Sequence, residues 1–122
     1  MRLFIADADK QLRVALQIFL HQQTGLHVTG MATEARGLLA QVEASQPDVL
    51  LIDWNLPGRP MAVLLADLQM FIPSPEIIVL SVRPEDKSAA LTAGACAFVE
   101  KISPPEKLLE HLHTICKPKH VK

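Results

Sequence analysis

Four consecutive apolar residues, Val49-Leu50-Leu51-Ile52, run straight into a carboxylate at Asp53, and Pro57-Gly58 closes the segment with turn chemistry. A strand with one face in water alternates apolar and polar residues. An unbroken apolar run this short, bounded by breakers, belongs to a strand buried on both faces, as in a parallel sheet covered by helices above and below. Ile77-Ile78-Val79-Leu80 repeats the pattern and ends on Ser81. Two such strands in one short chain leave few architectures open.

The segments around them alternate in period. Leu3 to Asp7 reads as a first strand, and Leu12, Ala15, Leu16, Phe19 and Leu20 then recur at helical spacing. His27 to Met31 is a second, weaker strand; Thr33 is expected to cap a helix whose apolar stripe is Ala35, Leu38, Leu39 and Val42. The strand ending at Asp53 is third. A helix over Pro60 to Met70 presents Leu64, Leu65 and Leu68, and Glu76 to Ser81 is the fourth strand. Pro84 suits a first helical turn, Glu85 and Asp86 suit the positive end of its dipole, and Gly94 suits its stop. Cys96 to Val99 is a short fifth strand. Ser103-Pro104-Pro105-Glu106 reads as a capping box ahead of Leu108, Leu109, Leu112 and Ile115. Five β-α units without hairpin signals predict an α/β chain, a doubly wound five-stranded parallel sheet with right-handed crossovers.

A chain of 122 residues suits one domain, expected over 1–117, with 118–122 as a polar tail that could begin a linker. At 49% hydrophobic residues it can fill a core, and a net charge of -1 argues against a basic nucleic-acid surface. No apolar run approaches the ~20 residues of a membrane span, and no secretory signal precedes the first strand, so a cytoplasmic location with no membrane contact is the expectation. Cys96 and Cys116 lack metal-type spacing and read as reduced core or near-core residues. His21, His27, His111, His113 and His120 form no metal-like cluster.

Parallel strands bring their carboxyl ends to one edge, where open α/β sheets carry their chemistry. Here that edge collects Asp7, Asp53, Ser81 and, just past the fifth strand, Lys101. Asp7 and Asp53, with or without Asp9, could hold a hard divalent cation such as Mg²⁺, which takes carboxylate, carbonyl and water oxygens. A phosphoryl group on Asp53 would need that cation and Lys101 to neutralise it and the Ser81 hydroxyl as a donor. Each residue also has a plain structural reading. Asp53 could close an Asx-turn, Asp7 could cap a helix approach, Ser81 could end a strand and Lys101 could be a solvated lysine.

Taken in order, Leu3-Phe4-Ile5-Ala6-Asp7, Pro47 to Gly58, Val79-Leu80-Ser81 and Gly94-Ala95 to Lys101 resemble the receiver domain of two-component response regulators along essentially the whole chain. Phe98 stands three residues before Lys101, as the family's switch aromatic does. The resemblance implies a flavodoxin-like fold with strand order 2-1-3-4-5. It implies that Asp53 accepts phosphate from a histidine kinase or phosphotransfer protein, that Mg²⁺ is required, and that Asn55 lends its backbone carbonyl to the metal. Ser81 and Phe98 would couple the phosphate to a face formed by residues 84–116, available to a second copy or an output domain, with no nucleic-acid contact by this domain itself.

Three residues depart from the family pattern. Ala8 stands where the second acid after the first strand is usual, so Mg²⁺ binding is expected to be weakened, and Asp9 reads as a helix cap before it reads as a substitute ligand. Ile102 follows Lys101 in place of the common proline, and Arg59-Pro60-Met61 occupies the place of the loop glycine after Asp53. Two rivals remain. One is a pseudo-receiver acting through protein contacts without phosphate. The other is a small Mg²⁺-dependent phosphatase, in which Asp7-Ala8-Asp9 would serve as an Asp-x-Asp motif and Asp53 would stand idle.

Overall fold

The structure, a computed structural model, describes residues 1–116; the expected tail 118–122 lies outside the described residues. Strands β1 (Arg2–Ala6), β2 (His27–Ala32), β3 (Val49–Asp53), β4 (Glu76–Ser81) and β5 (Ala97–Glu100) alternate with helices α1 (Lys10–His21), α2 (Leu38–Ser45), α3 (Met61–Leu68), α4 (Lys87–Thr92) and α5 (Pro105–Cys116). All four pairings are parallel, in the order β2-β1-β3-β4-β5. The expected flavodoxin-like sheet is therefore the one found.

Why β3 is central follows from its composition. All five of its residues are buried, which only a strand paired on both edges and covered on both faces can be. Successive side chains then divide between two cores. Phe4, Leu50, Ile52, Ile77, Val79 and Phe98 face the layer of α2, α3 and α4, where Leu38, Leu64 and Ala90 meet them. Leu3, Ile5, Leu51, Ile78, Leu80 and Val99 face α1 and α5, where Leu16, Leu20, Leu108 and Leu112 pack. Each fully buried aliphatic or aromatic side chain contributes about 2 kcal/mol, so the two faces hold the sheet from both sides.

Several boundaries differ from expectation, each for a tertiary reason. Thr33 does not cap α2: the helix starts at Leu38, behind Gly37 at φ +78°. The Ala35 N–H donates instead to the Pro57 carbonyl at 2.8 Å, pinning that segment to the loop after β3. The same contact defines the loop path. Gly58 adopts φ +116°, and a Cβ there would lie 3.3 Å from the Ala35 backbone nitrogen, so only glycine fits without displacement. The Pro84–Asp86 turn is 3-10 and leads into α4, which stops as expected before Gly94 at φ +114°. Because α5 begins at Pro105, Pro104 and not Ser103 precedes its first residue. Cys96 is exposed rather than near-core. It precedes the edge strand β5, held by its backbone N–H on the Ile77 carbonyl at 2.8 Å. The Cys116 side chain lies outside the described residues. No helix among the described residues is long and apolar enough to cross a membrane.

Candidate functional site

Sheet register decides which residues meet. Ala6 pairs with Ile52, so Asp7 and Asp53 leave adjacent strands at the same level. Asp53 pairs with Leu80, and Ser81 pairs with Glu100, which places Ser81 and Lys101 at the same edge. Backbone bonds continue the strands past their ends: Asp7 N–H to Ala32 O at 3.0 Å, Trp54 N–H to Leu80 O at 2.8 Å and Lys101 N–H to Ser81 O at 2.7 Å. The site thus stands on rigid backbone.

At its centre the Lys101 ammonium bridges two carboxylates, lying 2.7 Å from Asp7 Oδ2 and 3.3 Å from Asp53 Oδ2. Asp7 is fully buried and Asp53 is 8% exposed, so the acid open to an incoming molecule is Asp53. The second oxygen of each carboxylate is held locally. Asp7 Oδ1 accepts from the Asp9 N–H at 2.8 Å, and Asp53 Oδ1 accepts from the Asn55 N–H at 3.0 Å. Asp7 Oδ2 makes no hydrogen bond of good geometry, so its charge rests on Lys101. Arg13, which sequence reasoning missed, donates from Nη1 to the Asp7 carbonyl at 2.6 Å and ties α1 to the end of β1. Its position one turn into the helix that follows the acidic loop is the signal that could have found it. Burial pushes the Lys101 pKa down. Its close contact with the Asp7 carboxylate and the charges of Asp53 and Asp7 push it up by more, and the net is a rise.

The other expected members stand differently. Asp9 is the N-cap of α1, its Oδ1 accepting from the Gln11 and Leu12 N–H groups at 3.0 and 3.3 Å. Ser81 is fully buried, but its hydroxyl donates to Asp86 Oδ2 at 2.8 Å and accepts from the Arg83 N–H at 3.1 Å. Asp86 was legible in sequence only as a helix-dipole charge. Phe98 is buried in the core shared with α4, and Trp54 packs against that same core.

Among the described residues no three His, Cys, Asp or Glu side chains gather around a point suited to a metal. The donor set is therefore Asp7 and Asp53, with the Asn55 carbonyl beside them in sequence. Two carboxylates suit Mg²⁺, which keeps several waters and accepts few protein ligands, and Asp7 Oδ2, ion-paired with Lys101 but without a hydrogen bond, is an oxygen that such a cation would satisfy. The residues fit the ion, in a reduced set. Ala8→Asp is expected to tighten Mg²⁺ binding about tenfold or more, roughly one added carboxylate contact. Asp9→Ala is expected to leave affinity nearly unchanged while costing roughly 1 kcal/mol of stability as a lost cap. Mg²⁺ titration of Trp54 fluorescence and denaturant melts check both; loss of binding in the Asp9 variant would make Asp9 a ligand after all.

A strand-end pair of acids bridged by a lysine, on a 2-1-3-4-5 sheet, defines a class, and comparison with known proteins agrees. The family model for the response regulator receiver domain matches residues 3–113. The chain belongs to that family and is the receiver domain of a two-component response regulator. It is 31% identical over 113 residues to YhcZ of Bacillus subtilis, a transcriptional regulatory protein, covering 90% of this chain and 52% of that one. It is 30% identical to the nitrate/nitrite response regulator NarL of Escherichia coli, covering 91% and 52%. The chain spans about half the length of these curated relatives. Among solved structures, RcsB of Salmonella enterica, bound to the rprA promoter with the phosphomimetic BeF3-, superposes with a TM-score of 0.86 at 24% identity, over 96% of this chain and 62% of that one.

Proposed function

We propose that Asp53 is the phospho-acceptor of a two-component phosphorelay and that its donor is the phosphohistidine of a histidine kinase or phosphotransfer protein. The observation that carries this reading is the Asp53 carboxylate at the end of the central strand, largely buried but less so than Asp7, with Lys101 Nζ 3.3 Å from its Oδ2. In the transfer an Asp53 oxygen forms the new P–O bond as the donor's P–N bond breaks, and the electron pair of that bond leaves with the imidazole. Lys101 faces the charge that develops there. Before transfer Asp7, Asp53 and Lys101 sum to one negative charge; an acyl phosphate of about −2 adds a further negative charge. A bound Mg²⁺ held by Asp7, Asp53 and the Asn55 carbonyl would supply the neutralising charge for the phosphoryl oxygens.

Ser81 and Phe98 are the proposed switch. A hydroxyl drawn toward the phosphate leaves room for the ring, and the energy comes from phosphate preferring one of two arrangements. The face formed by residues 84–116 would carry the change to a second copy or an output domain, in the cytoplasm. Addition of beryllofluoride and Mg²⁺ is expected to shift amide resonances chiefly from Ser81 to Lys101. A protein that binds the analogue with that segment unmoved would sink the switch.

Two observations favour a second reading, a pseudo-receiver that works by protein contact alone. Ala8 offers no ligand, and Ser81 is turned to Asp86. Failure to take up either beryllofluoride or phosphate would establish that reading instead. The phosphatase reading is less well supported, because Asp9 spends its side chain on capping α1 and leaves the Asp-x-Asp pair incomplete.

A further inference from the structure

We propose that Asp86 is a latch that withholds the Ser81 hydroxyl from the site, so that the first turn leading into α4 competes with a phosphoryl group for one hydrogen. This rests on the acceptor reading of Asp53. A serine hydroxyl carries a single hydrogen. Here it is given to Asp86 Oδ2 at 2.8 Å, while the Ser81 oxygen takes the Arg83 N–H at 3.1 Å. Ser81 is fully buried, so no water replaces either partner, and a bond to a carboxylate is stronger than one between neutral groups. Asp86 is itself held from outside. Its side chain is 17% exposed and its Oδ1 lies 4.0 Å from Arg83 Nε, a loose pair that fixes its direction more than it stabilises.

Ser81 can donate toward Asp53 only by leaving Asp86, and that carboxylate must then turn to water. Asp86 ends the 3-10 turn Pro84–Asp86 and stands immediately before Lys87, the first residue of α4. Release of the hydroxyl therefore loosens the start of α4, and coupling of this kind is reciprocal. A partner that draws Asp86 outward would prime Asp53, and an occupied Asp53 would free Asp86 for that partner. Asp86 is a positioning residue in this scheme, acting through Ser81.

The test is the affinity for beryllofluoride with Mg²⁺ in wild type, Asp86→Ala and Asp86→Asn, each repeated with Ser81→Ala. Asp86→Ala is expected to bind on the order of tenfold more tightly than wild type, the scale of one lost hydrogen bond to a charged acceptor. Asp86→Asn, which keeps an uncharged acceptor of the same shape, is expected to fall between and guards against misfolding of the alanine variant. With Ser81→Ala present, neither Asp86 change should matter, and amide exchange at Lys87 to Ala89 should be faster in Asp86→Ala than in wild type. Equal affinities, or the same gain with and without Ser81, would overturn the latch while leaving the acceptor reading intact, the latter outcome marking a simple removal of negative charge. Binding by none of the proteins would overturn the acceptor reading and the latch together.

Discussion

Asp53→Asn is expected to take up no phosphate from acetyl phosphate and Mg²⁺ under conditions in which the wild-type chain takes up one, as read by intact mass. An amide at Asp53 keeps the shape of the carboxylate and can still meet the Asn55 N–H through its oxygen. It has no negatively charged oxygen with which to form an acyl phosphate, so the loss is all or none. Misfolding will not mimic the result. The change removes one of two carboxylates that converge on a single ammonium, which relieves repulsion in the site. Thermal stability should therefore hold or rise. Phosphate that persists on the variant, or maps to Asp7 or Asp9, would remove Asp53 from the role.

Lys101→Met is expected to lower stability in metal-free buffer at neutral pH by about 3 kcal/mol or more, because it strands buried acidic charge. Asp7 is fully buried, and its Oδ2 depends on the ammonium 2.7 Å away. The pH dependence separates this cause from lost packing. In the wild type the Lys101 pKa is raised above its ordinary 10.5, so its stabilisation is complete below about that pH and disappears as pH climbs through the higher folded-state value. The gap between the two proteins should therefore narrow as pH climbs through the alkaline range in which Lys101 loses its charge. Mg²⁺ should also close it, since a cation on Asp7 and Asp53 replaces the missing charge and binding to the folded state alone stabilises it. Denaturant titrations with and without Mg²⁺ measure both effects. Equal stabilities at neutral pH without metal would mean that Lys101 does not neutralise the pair.

Both outcomes turn on residues that the sequence alone singles out. Asp53 and Ser81 could be read as strand-end groups because the apolar runs before them are short and unbroken, and burial on both faces follows from that pattern alone; Lys101 stands two residues past the apolar run that ends at Val99. The five β-α repeats likewise specified a parallel, doubly wound sheet, since local periodicity reports which face of each element must be buried. Hydrogen-bond partners carry no such local signal. That Lys101 reaches Asp7 as well as Asp53 depends on the registers Ala6–Ile52, Asp53–Leu80 and Ser81–Glu100 holding together across four strands. That Ser81 gives its proton to Asp86 depends on the path of the turn after β4, and that Thr33 leaves its helix uncapped depends on Pro57 taking the Ala35 N–H from a distant loop. Cys96, apolar in its sequence surroundings, is exposed at the position just before the edge strand β5, which a reading of neighbours along the chain does not reveal. Periodicity is a property of neighbours along the chain, and it determined the layers. The direction of each polar side chain is chosen by whichever donor or acceptor the assembled sheet and its loops bring within about 3 Å, and only the tertiary structure decided that.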